Sequence, residues 1–227
     1  MAASVAPLVA PRHPPIFVAM CNDYEQHVTW AAYRKAMQQL QLGIPTEQSE
    51  ADLPQVDDIR VNETGPVMRV AGNGVELVPM TFGFPPKNPR GSPVFNFKSE
   101  SRRFDKSNRC LVPASAFFEF TGKRYPKAKH RFVLKDAPFM AIAGLWRQGD
   151  GDGSPAFTML TTAPSVDVEP YHDRQVAVLR PEDWIAWLYL TKPDAELLRP
   201  LPEGSLDVET VRKASDQLVG THWSRFT

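Results

Sequence analysis

Four polar side chains stand where their neighbours could support chemistry: Cys21, Asn96, Glu119 and His172. Cys21 directly follows Met20. An initiator methionine is removed when the next residue is small, and cysteine qualifies. A chain started at Met20 would therefore mature with a free thiol and a free α-amine on one residue. The α-amine has an ordinary pKa of ~7.7–8.0, so part of it is neutral and nucleophilic at pH 7. An aldehyde meeting that pair forms an imine, and the thiol then closes a five-membered thiazolidine. Residues ahead of the cysteine acylate the amine and block the reaction. The other reading of Cys21 is a small buried hydrophobe, the usual state of a free cysteine.

Glu119 lies in Cys110-Leu-Val-Pro-Ala-Ser-Ala-Phe-Phe-Glu-Phe120, an apolar stretch where a carboxylate is unexpected. Burial among Phe117, Phe118 and Phe120 would raise its pKa and suit it to proton transfer, whereas the solvent side of an alternating strand would leave it an ordinary glutamate. His172, in Tyr171-His-Asp-Arg174, has the ~6.5 ordinary pKa that suits acid–base work, or it is structural. Asn96, in Pro93-Val-Phe-Asn-Phe-Lys98, is either a polar anchor for a reacting group or a turn residue.

The elements that must position these groups are mostly strands. The helix expected first is capped by Asn22 or Asp23, runs to about Gln41 and ends at Gly43. Residues 44–56 read as loop. Residues 66–70 and 75–80 flank Gly72-Asn73-Gly74, a strong hairpin signal. Short strands follow at 109–113, 116–120, 131–134, 139–145, 156–162, 175–179 and 206–211, with the glycines at 149–153 as a hairpin tip. Pro181 opens a helix through Leu190, and Pro193 a second, shorter one. The expected fold class is α+β, a single domain with a β-rich, barrel-like core and peripheral helices. Residues 1–20, with four prolines and no periodicity, read as a disordered or processed leader ahead of a domain at 21–227.

The chain has 227 residues, and its 26 Lys and Arg balance 26 Asp and Glu. The balance is uneven along the sequence. Residues 87–131 hold twelve basic residues against three acidic ones, a net +9, which leaves −9 for the remainder. Such asymmetry suggests a face for a polyanion, or a solvated surface with scattered charge. No apolar run reaches the roughly 18 residues of a membrane span. Cys21 and Cys110 lack the spacing of a disulfide scaffold, so a reducing, cytoplasmic compartment is expected. The five histidines are too scattered for a zinc site, and no phosphate-binding glycine loop is present, so no metal or cofactor is expected.

Taken in order, these pieces resemble a family. Met20-Cys-Asn22, Phe82-Gly-Phe-Pro85, Asn96-Phe-Lys-Ser-Glu-Ser101, Arg109-Cys-Leu-Val-Pro-Ala114 leading to Phe118-Glu-Phe120, Ala143-Gly-Leu-Trp146, 157–162 and His172-Asp-Arg174 are similar to the SOS-response-associated peptidase (SRAP) family of abasic-site processing proteins. The likeness covers about residues 20–190. It implies a monomer that binds single-stranded DNA and traps the ring-opened aldehyde of an abasic site on the N-terminal cysteine. It also implies autoproteolytic removal of residues ahead of that cysteine and a weak lyase activity.

Carried over, the resemblance makes Cys21 the nucleophile and Asn96 the positioning group. Glu119 becomes the acid/base, and His172 handles protons at the opened sugar. Lys98, Arg103 and Arg174 become phosphate contacts, and Phe82 a platform on which a base stacks. Asn22-Asp23 stands where many members have Gly-Arg, Phe82 and Phe120 where tryptophans are commoner, and Lys98 where an arginine is usual. Two other enzyme classes use the same residue types. An N-terminal-nucleophile amidohydrolase also needs the free α-amine, and a cysteine protease with Cys21, His172 and Asn96 does not. A non-enzymatic nucleic-acid binder would need none of the four.

Overall fold

In the computed structural model, which describes residues 22–44, 53–88, 90–149 and 153–215, Gly72 and Asn73 turn the chain between β3 (Thr64–Ala71) and β4 (Gly74–Phe82). Ala71 pairs with Gly74, and Gly72 takes φ +56°, the left-handed conformation that a two-residue hairpin turn demands. These two strands begin a closed ring. β3 pairs with β6 (Arg109–Ala114), β6 with β9 (Met140–Arg147), β9 with β10 (Ala156–Thr162), and β10 runs parallel to β4 to complete it. The expected barrel-like core is this ring of five strands. The closure is short, β10 meeting β4 only at Thr81 and Phe82.

Beyond Phe157, β10 leaves β4 and pairs instead with β5 (Asn96–Lys98), then with β11 (Gln175–Val176). The short β12 (Val178–Leu179) adds to β9. A second sheet has the order β13 (Leu206–Arg212), β8 (Ala128–Leu134), β7 (Ala116–Thr121), β1 (Asp23–Gln26) and β2 (Val56–Arg60), all antiparallel.

Alternate residues along the ring strands divide between two apolar cores, as a period of two requires. Leu111, Ala143 and Leu145 pack with Tyr33 and Met37 of α1 (Trp30–Gln39) and with Trp184 and Trp187 of α2 (Pro181–Tyr189). Val112, Ile142 and Phe157 pack with Tyr24, Phe117 and Phe132 of the second sheet. Helix α2 has Pro181 in its first turn and ends on Leu190 at φ +59°. The short α3 (Asp194–Leu197) is tied back by Arg109. That guanidinium lies 4.1 Å from the Trp187 ring and 2.5 Å from Asp194 Oδ1, buried on both counts.

The expected helix start at Asn22 or Asp23 is corrected. Residues 23–26 form β1, and Thr29 caps α1, its Oγ1 accepting from Ala32 N–H at 3.2 Å. The alternation Asp-Tyr-Glu-Gln is what decides it. Tyr24 enters the core, while Asp23 and Glu25 meet Lys129 and Arg131 of β8 on the opposite face. A helix would scatter those partners. The close approach of β1 to the ring needs Gly65, where a Cβ would fall 2.0 Å from the Tyr24 hydroxyl. Strand β2 begins at Val56, the last residue expected in the loop, and its pairing with β1 explains why.

Candidate functional site

Strand β7 turns Phe117, Glu119 and Thr121 toward the ring and Phe118 and Phe120 away from it. Glu119 is consequently fully buried, not on a solvent face. Its register partner on β8 is His130. Burial holds His130 below the ordinary imidazole value. Its Nε2 lies 2.7 Å from Thr121 Oγ1 and its Nδ1 3.0 Å from Thr210 Oγ1. The Tyr171 ring packs 4.5 Å from the His130 ring and 5.4 Å from Phe132. That contact docks the Tyr171-His172 turn onto the strand pair that carries Glu119.

His172 is buried at the end of this turn. The backbone N–H and the carbonyl oxygen of Arg174 each lie 3.0 Å from its Nδ1. The carboxylate of Asp173 is 3.2 Å from the same Nδ1. The turn's other flank is fixed by Arg174. Its guanidinium donates to both carboxylate oxygens of Glu100, at 2.5 and 2.7 Å, and to the carbonyl and hydroxyl of Thr161, at 2.9 and 3.1 Å. The hydrogen bond from Arg174 pulls Glu100 below the usual carboxylate range.

Thr161 is the register partner of Lys98, and Asn96 lies two residues earlier, opposite Met159 on the same β5–β10 pair. Arg174 thus joins the segment of Asn96 to the turn of His172, and Tyr171 joins that turn to the strands of Glu119. Arg174, expected as a phosphate contact, is paired with Glu100 and Thr161 and serves as a staple within the fold. Phe82 is corrected from its expected role as a stacking platform. It is fully buried, stacked on Phe157 at 5.0 Å and edge-on to Tyr24 and Phe95, with no face left for a base. Lys98 and Arg103 are exposed, Arg103 having only Asp105 at 3.8 Å.

The basic window is also less basic than its sequence count. Arg109, Lys129 and Arg131 pair internally with Asp194, Asp58 and Glu25, all from the acidic remainder. The exposed positive charge of the window lies on Lys87 and Arg90, on Lys98, Arg102, Arg103 and Lys106, and on Lys123 and Arg124.

Cys21 lies outside the described residues, as do residues 1–20. Asn22 is the first residue described. Tyr24 pairs with Phe117 and Glu25 with Ala116, and continuing that antiparallel register brings Asn22 level with Glu119. Cys110 is a free thiol deep in the ring, where burial drives its pKa up and makes it inert.

Sequence reasoning missed a cleft of about 400 Å³ at the same end of the second sheet. Asn22, Asp23, Asp58 and Arg60 line one side, with Phe120, Tyr125, Lys127, Lys129 and Arg212 on the other. Tyr125 is 84% exposed, and Lys127 lies 5.6 Å from its ring. The Pro-flanked, basic run Lys123-Arg-Tyr-Pro-Lys127 was the available signal. On the cleft floor Lys129 donates to Asp58 and stands 3.5 Å from Asp23 Oδ2. Asp23 Oδ1 is buried with no hydrogen-bond partner.

Burial is the main force on Asp23 and pushes its pKa up to about 6. Lys129 opposes the shift and Asp58 adds to it. Because the folded value lies above the ordinary 3.8, folding favours the protonated form. The cost of ionising Asp23 is absent below about pH 4, grows toward pH 6 and is complete above it. Asp23→Asn is therefore expected to stabilise the protein at pH 7.5 by about 2 kcal/mol, raising Tm by about 4–8 °C, and to give no gain at pH 4. Thermal melts at the two pH values check this, and an equal gain at both would refute the titration.

A family model described as SOS response associated peptidase (SRAP) matches residues 20–217, which takes in every element above. The chain belongs to the SRAP family. Among its relatives, the abasic site processing protein YoqW of Bacillus subtilis is 34% identical over 128 residues, 52% of this chain and 56% of the relative. The abasic site processing protein YobE of the same organism is 34% identical over 117 residues, 48% of this chain and 52% of the relative. The chain thus spans about half the length of the curated relatives it matches. A crystal structure of a protein from Bordetella bronchiseptica superposes with a TM-score of 0.63 at 22% identity, covering 85% of this chain and all of that one. Its likeness to this chain is one of fold. Among the described residues no group of His, Cys, Asp and Glu is placed to hold a metal, and no helix is long and apolar enough to cross a membrane.

Proposed function

We propose that this SRAP protein processes abasic sites in single-stranded DNA, with Cys21 as the reacting residue. The observation that carries the reading is the fully buried Glu119, level with Asn22 and so beside the residue that follows Cys21. The names of its relatives support the abasic-site substrate.

The chemistry runs on groups of this chain. Once the residues ahead of it are removed, the α-amine of Cys21 attacks the aldehyde of the ring-opened sugar. Water leaves and an imine forms. The thiol then adds across the C=N bond, its proton passing to nitrogen, and a thiazolidine results with one water lost overall. Glu119 gives and takes the protons of dehydration and addition, and Asn96 orients the reacting carbon through its amide. His172 serves the hydroxyl of the opened sugar. From the imine, loss of the sugar's C2′ proton with departure of the 3′ phosphate gives the slower lyase reaction. Glu119 also supplies the acid/base function for hydrolysis of the Met20–Cys21 peptide. Lys98 and Arg103 hold phosphates, which ties affinity to salt and little to sequence.

Intact mass measured before and after incubation with an abasic oligonucleotide, without borohydride, tests the proposal. A chain beginning at Cys21 and a stable gain equal to the oligonucleotide minus one water are expected, with no gain on an undamaged strand. A mature Cys21 terminus with no gain would overturn it in favour of the amidohydrolase. Noncovalent affinity should also fall as salt rises, by about tenfold or more between 50 and 200 mM if three or four phosphates are contacted. A flat response would remove Lys98 and Arg103 from the binding face.

A further inference from the structure

Two neighbouring rows of side chains cross the inner face of the second sheet. The first is apolar. Val208 of β13 stands opposite Phe132 of β8, Phe132 opposite Phe117 of β7, and Phe117 opposite Tyr24 of β1. Two residues along each strand, the same face turns polar. Thr210 stands opposite His130 and His130 opposite Glu119, and the β1–β7 register continues the row to Asn22. The reaction described above uses Glu119 and gives His130, its neighbour in that row, no part. Glu119 is fully buried and His130 only 6% exposed. Cross-strand partners of this kind hold their Cβ atoms about 4.5–5.5 Å apart, near enough for one charge to govern the other.

Threonine hydroxyls hold both nitrogens of the ring, Thr121 Oγ1 at Nε2 and Thr210 Oγ1 at Nδ1. A hydroxyl either donates or accepts, so the two threonines satisfy the neutral ring and the imidazolium alike. The ring gains or loses a proton without breaking a hydrogen bond, and its charge is left to its surroundings. The titratable groups packed around it are Glu119 from β7 and Tyr171 from the turn that carries His172. Lys129 and Arg131, beside His130 in β8, point to the opposite face, toward Asp58 and Glu25. On β13, Glu209 and Arg212 turn to that face as well, toward Arg131 and the Phe120 ring. Burial therefore disfavours the imidazolium, and an ionised Glu119 favours it.

In a dry interior the costly states of such a pair are those with a net charge, a carboxylate beside a neutral ring or an imidazolium beside a carboxylic acid. One proton between the two groups avoids both. We propose that His130 is a positioning residue that acts through Glu119, the two sharing one proton across neutral pH so that carboxyl and carboxylate are present together. When the proton changes place, an O–H bond of Glu119 is lost and an N–H bond of His130 is gained. The threonine at that nitrogen turns from donating to accepting, and the net charge is unchanged. A group that must both give and take protons in one reaction is served by that arrangement. The role rests on the reading of Glu119 as the acid/base of abasic-site processing, whereas the pairing itself does not.

Two measurements test it, and the first needs no DNA. Imidazole NMR follows His130 from about pH 5 to pH 9 in the native protein and in Glu119→Gln. Protonation of the native ring is expected to begin about one pH unit or more higher than in the variant, as an opposite charge at that range requires. Superimposable titrations overturn the pairing. The second compares ring closure on an abasic strand by the native protein and by His130→Gln, both with a mature Cys21, from about pH 6 to pH 9. The ratio of the two rates cancels the titration of the α-amine. Without the imidazole, Glu119 titrates as a single buried acid, so the ratio is expected to change by about tenfold or more across that range. Affinity for the strand at pH 7.5 should stay within twofold. A level ratio makes His130 a packing residue and overturns its part in the reaction. A native protein that captures no abasic strand overturns the proposed function and the role together, while the NMR shift still reports the pair. The titration in Glu119→Gln decides the pairing even if His130→Gln does not fold.

Discussion

Cys21→Ala abolishes the stable adduct with an abasic strand, by a factor of more than about a thousand, while noncovalent affinity for the same strand stays within twofold. That is the expected result, and its reason is the division of labour between the two nucleophiles on one residue. Started at Met20, the variant still loses its methionine, since alanine is small, and matures to a free α-amine with the ordinary ~7.7–8.0 pKa, so the imine still forms and still reverses. Without a thiol nothing adds across the C=N bond. Borohydride should therefore trap the variant as a reduced imine, whereas the native protein needs no reductant. This pair of readouts separates the proposed reaction from its rivals. A cysteine protease using Cys21, His172 and Asn96 would show no borohydride-dependent adduct in either protein, and acetylating its terminus would leave it active. A simple nucleic-acid binder would form no adduct at all. A crosslink that persists in Cys21→Ala without reductant would end the mechanism.

The second large effect belongs to Glu119. Glu119→Gln conserves shape and burial at a fully buried position, so the strand pairing with His130 and the packing beside Phe117 are retained. It removes the capacity to exchange a proton. General acid–base catalysis is worth about 10²–10⁴-fold, and a loss of that size is expected in two rates, removal of residues ahead of Cys21 and closure of the ring. Pre-matured protein allows the closure rate to be measured alone, by mass spectrometry at timed quenches. Unchanged affinity for single strands and an unchanged melting temperature should accompany the slower chemistry. Native rates in Glu119→Gln would leave the glutamate a structural residue.

Much of the scaffold was legible in local sequence because local physics governs it. Gly72-Asn73 meets the φ requirement of a hairpin turn without help from elsewhere, and Pro181 suits a helix's first turn wherever the helix packs. Strand β13 and the ring strands carry runs whose pairing partners have matching lengths. β1 was not legible. Four residues hold too little periodicity to announce a strand, and Asn or Asp before a helical pattern reads as a cap. Its real partners, Lys129 and Arg131, are more than a hundred residues away.

For the site, residue type and order identified Cys21, Asn96, Glu119 and His172, because a thiol–amine pair or a carboxylate in an apolar run has a chemistry of its own. Sequence could not say which charges remain free. Arg174 and Lys98 are equally basic on paper, yet one is bound by Glu100 and Thr161 and the other is exposed. Nor could it say which aromatic has an open face. Phe82 is closed in by Tyr24, Phe95 and Phe157, while Tyr125 stands clear. Those outcomes, and the cleft that gathers Asn22, Asp23, Lys129 and Arg212 from three separate segments, depend on which strands become neighbours. Strand pairing is set by burial over the whole sheet, so only the folded chain decides them.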